Sequence, residues 1–126
     1  MMTVRDKARL AGVHPDLVAV VEAARQQVPF IVVEGMRTHE RQAQLVKAGA
    51  SRTMDSRHLT GHAVDLAPTV EGEVRWDWPL FFPMAKAVKD AAQARGVALV
   101  WGGDWPRFRD GPHFELNRDA YPAGRG

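Results

Sequence analysis

The most strongly β-forming stretch of this 126-residue chain, Phe30-Ile31-Val32-Val33, is only four residues long and follows directly on Pro29. A strand that short is buried only within a small sheet that helices cover. The flanking sequence supplies both kinds of element. Leu17, Val21, Ala24 and Val28 recur at helical spacing, with Pro15 suited to a first helical position and Pro29 ending the pattern. Thr38 is placed to cap a second helix carrying Gln42, Leu45 and Val46, and Gly49 to end it in the left-handed conformation. Residues 50–60 are polar and turn-rich, hence loop. Gly61 to Leu66 alternates as a strand does, with Pro68 expected to end it and Glu73-Val74-Arg75-Trp76 as its hairpin partner.

A third helix is predicted from Pro79, with Phe81, Ala85, Val88 and Ala92 on one face and Gly96 closing it. Val97 to Trp101 reads as a strand, Gly102 to Pro112 as a loop, His113 to Leu116 as a last strand, and the polar tail as frayed. Helices and strands mix without βαβ regularity. The expectation is one α+β domain over residues 1–126, a small, mostly antiparallel sheet against about three helices.

Composition removes several classes of function. At 45% hydrophobic and 25% charged residues the chain is neither disordered nor fibrous. Its apolar runs are too short to cross a bilayer, and the charged N-terminus lacks the apolar block of a signal peptide. Without cysteine it builds no disulfide and no thiolate zinc site. A net charge of +2, carried by scattered bases, gives no basic stripe for nucleic acid.

Five histidines occur, at positions 14, 39, 58, 62 and 113, and His14 and His39 read as surface residues. His58 precedes Asp65 by seven residues, and the small Gly61 and Ala63 leave the backbone between them uncrowded. Much later, Asp110-Gly111-Pro112-His113 brings another histidine with a carboxylate three residues before it. Two imidazoles and one carboxylate are a zinc set that leaves a fourth position for water, as hydrolysis of an amide requires. Asp110, held beside His113 by a turn, could then serve as general base. His62 falls on the opposite strand face from Asp65 and is excluded. Spacing alone leaves a catalytic centre and a set of unrelated histidines both open.

The pattern Ser56-x-His58-x-x-Gly61-x-Ala63-x-Asp65, followed by Asp110-x-x-His113, resembles the zinc peptidases of peptidoglycan. These include D-alanyl-D-alanine carboxypeptidases, vancomycin-resistance dipeptidases and phage L-alanyl-D-glutamate endopeptidases. Glu34-Gly35-Met36-Arg37-Thr38 and Trp101-Gly102-Gly103-Asp104-Trp105 are similar to the phage branch, so the resemblance spans roughly residues 12–116. It implies a hedgehog/DD-peptidase-like fold, with His58, Asp65 and His113 holding one zinc ion per chain. It also implies Asp110 as general base and Arg37 facing the zinc to stabilise the developing oxyanion. The carboxypeptidase branches usually carry glutamate as the base, so Asp110 points to the endopeptidases. Ser56, Gln42 and Trp105 are secondary candidates for substrate contact. Asp104 and Glu115 are candidates for orienting a ligand histidine, Glu115 being the better placed two residues along the same strand face.

The expected function is hydrolysis of the peptidoglycan peptide stem at L-Ala-D-Glu by a phage endolysin. The lysin would be a monomer without a separate wall-binding domain, made in the host cytoplasm and released through a membrane pore. The alternatives are a D-Ala-D-Ala carboxypeptidase or dipeptidase, and a non-catalytic zinc-containing wall-binding module.

Overall fold

The computed structural model describes residues 2–50 and 56–122. In chain order the elements are α1 (Val4–Arg9), α2 (Pro15–Arg25), β1 (Phe30–Glu34), α3 (His39–Lys47), β2 (Ala63–Val70), β3 (Glu73–Val74), α4 (Trp78–Ala94), β4 (Leu99–Trp101) and β5 (His113–Leu116). Short 3-10 turns at Arg57–Thr60 and Gly102–Asp104 precede β2 and follow β4. The strands run in the order β1-β2-β5-β4, with β3 paired to β2, and every pairing is antiparallel. The α+β architecture expected from the sequence is the one found.

Alternation along β2 and β5 divides the sheet into two chemically different faces. Val64, Leu66, Phe114 and Leu116 point into the core, where they join Leu17, Val20 and Val21 of α2 and Phe81, Ala85 and Val88 of α4. All four strand residues are fully buried. Asp65, His113 and Glu115 stand on the other face, with Asp65 directly opposite His113 and Ala63 opposite Glu115. An irregularity between Val32 and Glu34 inserts an extra residue into β1 and sets Glu34 opposite Asp65. The bulge therefore lines up Glu34, Asp65 and His113 across three adjacent strands.

One element was not foreseen and three expectations need correction. The N-terminal segment forms a helix, α1, begun by a reciprocal bond pair between Thr3 and Asp6. Its anchors are polar. Asp6, 2% exposed, accepts from the Val32 N–H, and Arg9 donates to the Val32 carbonyl, so the outer edge of β1 at Val32 is satisfied by side chains. Pro68 does not end β2, which runs on to Val70. Pro68 has no N–H to give, and on that side only its carbonyl is used, by the Arg75 N–H. The tail does not fray through residue 121. Arg57 donates to the carbonyls of Leu116 and Tyr121, and the Tyr121 hydroxyl donates to Asp16. His14 is more than a surface group, since its Nδ1 accepts the Asp16 N–H and caps α2.

The remaining elements lie where the sequence placed them. Thr38 caps α3, Gly49 follows that helix at φ 77°, and Glu71 and Gly72, both at positive φ, make the β2–β3 turn.

Candidate metal centre and catalytic cleft

His58 enters the site from the 3-10 turn that Ser56 caps, its hydroxyl accepting the His58 N–H at 3.2 Å. The Nδ1 of His58 lies 2.8 Å from the Gly35 carbonyl, and the Arg37 N–H donates to the His58 carbonyl at 2.8 Å. These two links tie the turn to the end of β1. They also fix the imidazole: Nδ1–H faces a carbonyl, so the Nε2 lone pair faces Asp65. Gly35 is required there because any Cβ would collide with the Arg9 carbonyl.

His58 Nε2 is 3.3 Å from Asp65 Oδ1, and His113 Nδ1 is 3.4 Å from the same oxygen. His113 turns its other nitrogen, Nε2, to Glu115 Oε1 at 2.8 Å. The three ligand-type atoms lie within 4.8 Å of one another. A tetrahedron with metal–ligand bonds of about 2.0–2.1 Å has edges of about 3.3 Å, so these separations suit a zinc ion. Asp65 Oδ1 is buried and has no hydrogen-bond partner of good geometry, an atom that a cation would satisfy. Two imidazole nitrogens and one carboxylate oxygen are also the donor chemistry zinc prefers.

Charge is concentrated here. Burial opposes ionisation of Asp65, but the facing His113 and His58 outweigh it and hold its carboxyl well below the usual carboxylate range. Burial pushes the His113 imidazole down, and Asp65 with Glu115 reverses this and raises it to about 9. Asp110 moves in the opposite direction. Its carboxyl is raised, first by burial and then by the negative charge of Asp65.

Asp110 is positioned by a tight turn. The His113 N–H donates to the Asp110 carbonyl, and the Asp110 N–H donates to the Gly102 carbonyl at 3.0 Å. A Cβ on Gly102 would lie 2.5 Å from the Asp110 carbonyl oxygen and 3.0 Å from its Cβ, so only glycine allows this approach. The buried Trp101 indole donates to the Gly111 carbonyl and pins the other side of the turn.

Arg37 is buried and held on two sides. Its Nε and Nη2 donate to the two oxygens of Glu34 at 2.9 and 2.8 Å, and Nη1 donates to Gln42 Oε1 at 2.6 Å. Its Nη2 lies 3.7 Å from Asp65 Oδ2. The hydrogen bonds from Arg37 outweigh burial and keep the Glu34 carboxyl below its ordinary value. Three of the five guanidinium N–H groups are thus committed, which fixes the plane of the other two.

A cleft of about 970 Å³ opens over this cluster, and Arg37, Ser56, His58, Asp65, Asp110 and His113 all line it. Trp105 lies on its wall, its ring 5.1 Å from that of His113, while Trp76 and Phe108 stand exposed at the rim.

Most predicted site residues are therefore brought together, with two differences. Gln42, a candidate for substrate contact, is fully buried and accepts from Arg37, so it supports that side chain. Asp104 pairs with Lys89 at 2.6 Å on the surface, and Glu115 alone of the two carboxylates reaches a ligand histidine. Trp78 is 40% exposed and carries the Arg109 guanidinium over its ring. Sequence reasoning gave no role to Glu34, which it quoted only within the stretch Glu34 to Thr38, although a carboxylate three residues before Arg37 was a signal. His62 lies apart from the cluster, bonded to the Thr60 hydroxyl and packed near His14.

The profile of the phage L-alanyl-D-glutamate peptidases matches residues 1–124. This chain belongs to that family. It is 36% identical to the L-alanyl-D-glutamate peptidase of Escherichia phage T5, over 92% of this chain and 88% of that one. The crystal structure of the L-Ala D-Glu endopeptidase ChiX of Serratia marcescens superposes with a TM-score of 0.92 at 48% identity, covering 97% of this chain and 93% of that one. The vancomycin resistance D,D-dipeptidase VanXYg superposes with a TM-score of 0.52 at 16% identity, covering 82% of this chain and 50% of that one, which shows a common fold. Among the described residues, His58, Asp65 and His113 form a group whose ligand-type atoms lie close enough together to hold a metal ion.

Proposed function

We propose that this chain is a zinc peptidase that hydrolyses the L-Ala-D-Glu amide of the peptidoglycan stem as a phage endolysin. The observation that carries the reading is the triangle of His58 Nε2, Asp65 Oδ1 and His113 Nδ1, with the raised Asp110 carboxyl lining the same cleft. His58, Asp65 and His113 would hold one zinc ion per chain. When bound, the ion supplies a Lewis acid that activates water and polarises the scissile carbonyl.

The chain's own residues do the rest. Asp110, with its carboxyl raised toward the working pH, takes a proton from the attacking water and returns it to the amine that leaves. Arg37, locked by Glu34 and Gln42, points its remaining N–H groups at the oxygen on which negative charge develops. Glu115 and the Gly35 carbonyl keep the two imidazoles in the orientation that metal binding needs. Ser56 holds the His58 turn, and Trp105 closes one wall against solvent. The chain would act as a monomeric catalytic domain, reaching the wall from the host cytoplasm through a membrane pore.

Digestion of purified peptidoglycan, with the new termini identified by mass spectrometry, tests this reading. New N-termini at D-Glu are the expected product. Release of D-alanine or of the D-Ala-D-Ala dipeptide would assign the chain to the carboxypeptidase or dipeptidase chemistry instead. Binding without cleavage would make it a wall-binding module.

A further inference from the structure

Among the described residues, four arginines line the cleft: Arg37, Arg57, Arg109 and Arg118. Arg37 is held by Glu34 and Gln42 with its remaining N–H groups assigned to the oxyanion, Arg57 donates to the carbonyls of Leu116 and Tyr121, and Arg118 lies 3.7 Å from Glu115. Arg109 differs. Its Nε donates to the Gly103 carbonyl at 2.8 Å, and its guanidinium carbon sits 4.7 Å from the centre of the Trp78 ring. Among the described residues, no carboxylate forms an ion pair with it.

An arginine tethered at Nε and stacked on an indole has lost most of its rotamer freedom, while its two terminal nitrogens keep their donors. That is a preorganised fork for a carboxylate, and it lies immediately before Asp110 in the cleft wall.

The proposed substrate offers such a group. In the stem, D-Glu is linked onward through its γ-carboxyl, so its α-carboxylate is free and is borne by the same carbon as the scissile amide nitrogen. We propose that Arg109 binds this α-carboxylate and so selects stems whose D-Glu is not amidated. The inference rests on the L-Ala-D-Glu reading above.

The test uses two N-acetylmuramoyl stem peptides, identical except that D-Glu carries either a free α-carboxylate or its primary amide. All other carboxylates of the stem are shared. The zinc-loaded wild-type chain should cleave the free acid with kcat/KM about 10–100-fold above the amide, the usual worth of a charge-assisted hydrogen-bond pair. Arg109→Gln should lower the rate on the acid to that on the amide and leave the amide rate unchanged. Arg109→Lys, which keeps the charge without the fork, should retain part of the preference. Equal wild-type rates on the two peptides, or an equal loss on both in Arg109→Gln, would overturn the inference while leaving the peptidase reading intact. Failure of the wild type to cut either peptide at L-Ala-D-Glu would overturn that reading, and this inference with it.

Discussion

Nε2 of His113 lies 2.8 Å from Oε1 of Glu115, two residues further along the same face of β5. The contact fixes which nitrogen of His113 can turn toward Asp65. Removing it leaves a buried imidazole N–H without an acceptor and the ring without a reason to hold its angle. Glu115→Ala should weaken zinc binding by about 10–100-fold. Glu115→Gln, which keeps an acceptor oxygen, should weaken it less. Competition against a chromogenic chelator measures both, and equal affinity in all three proteins would show that Glu115 does not orient the ligand.

Zinc uptake should release protons. With Asp65 and Glu115 outweighing burial, His113 titrates at about 9, so at pH 7 its imidazole is protonated, whereas a metal ligand must be neutral. The folded value lies above the ordinary one near 6.5, so lower pH favours the proton and higher pH favours the metal. Between pH 7 and 9 the apparent zinc affinity should rise about tenfold per pH unit, with about one proton released per ion. Calorimetry in buffers of different ionisation enthalpy reads the proton count directly. An affinity that is flat across this range would contradict it.

The ligand assignment separates His62 from its neighbours. His58→Ala, Asp65→Ala and His113→Ala should each lower the zinc content of the purified protein, because two remaining ligands hold the ion poorly. His62→Ala should keep both zinc and turnover, since that ring bonds to Thr60 away from the cluster. Metal analysis decides the matter, and loss of zinc in the His62 variant would mean that the site is built around a different histidine.

The proposed ligand set came from the resemblance of Ser56-x-His58-x-x-Gly61-x-Ala63-x-Asp65 and Asp110-x-x-His113 to the peptidoglycan zinc peptidases, spacing alone having left it open, and local rules account for where its members stand. Strand alternation put Asp65 and His113 on the face away from Leu66 and Phe114, and the Ser56 cap and the αL Gly61 bound the turn that carries His58. What escaped depends on register and long-range contact. Glu34 meets Asp65 only because of the bulge in β1, which no local pattern announces. Helix α1 has a capping box but little apolar periodicity, for its buried anchor is Asp6 and its partners, Val32 N–H and C=O, lie more than twenty residues away. Gln42 reads as a polar helix residue until the buried Arg37 is placed beside it. Pro68 looked like a strand end because it has no N–H to give, but on that side of β2 only its carbonyl is used, so the strand runs on.

Arg37 carries a separate prediction. Arg37→Ala should reduce turnover by roughly 10²–10³-fold, the usual loss of one oxyanion donor, while zinc content stays near that of the wild type. Arg37→Lys should recover little, since a single ammonium cannot hold both Glu34 oxygens and Gln42. If the alanine variant loses zinc in proportion to activity, Arg37 acts by holding Asp65 in place and not on the substrate.

Asp110→Asn is the most direct measurement. The substitution keeps the size of the side chain and its turn, but the amide cannot take up a proton from water. Turnover on peptidoglycan should fall by at least about 10²–10⁴-fold, with zinc content and melting temperature nearly unchanged. Cleavage at close to the wild-type rate would place the base elsewhere, and loss of zinc would make Asp110 a ligand; either result contradicts a site in which His58, Asp65 and His113 hold the metal and Asp110 moves the proton.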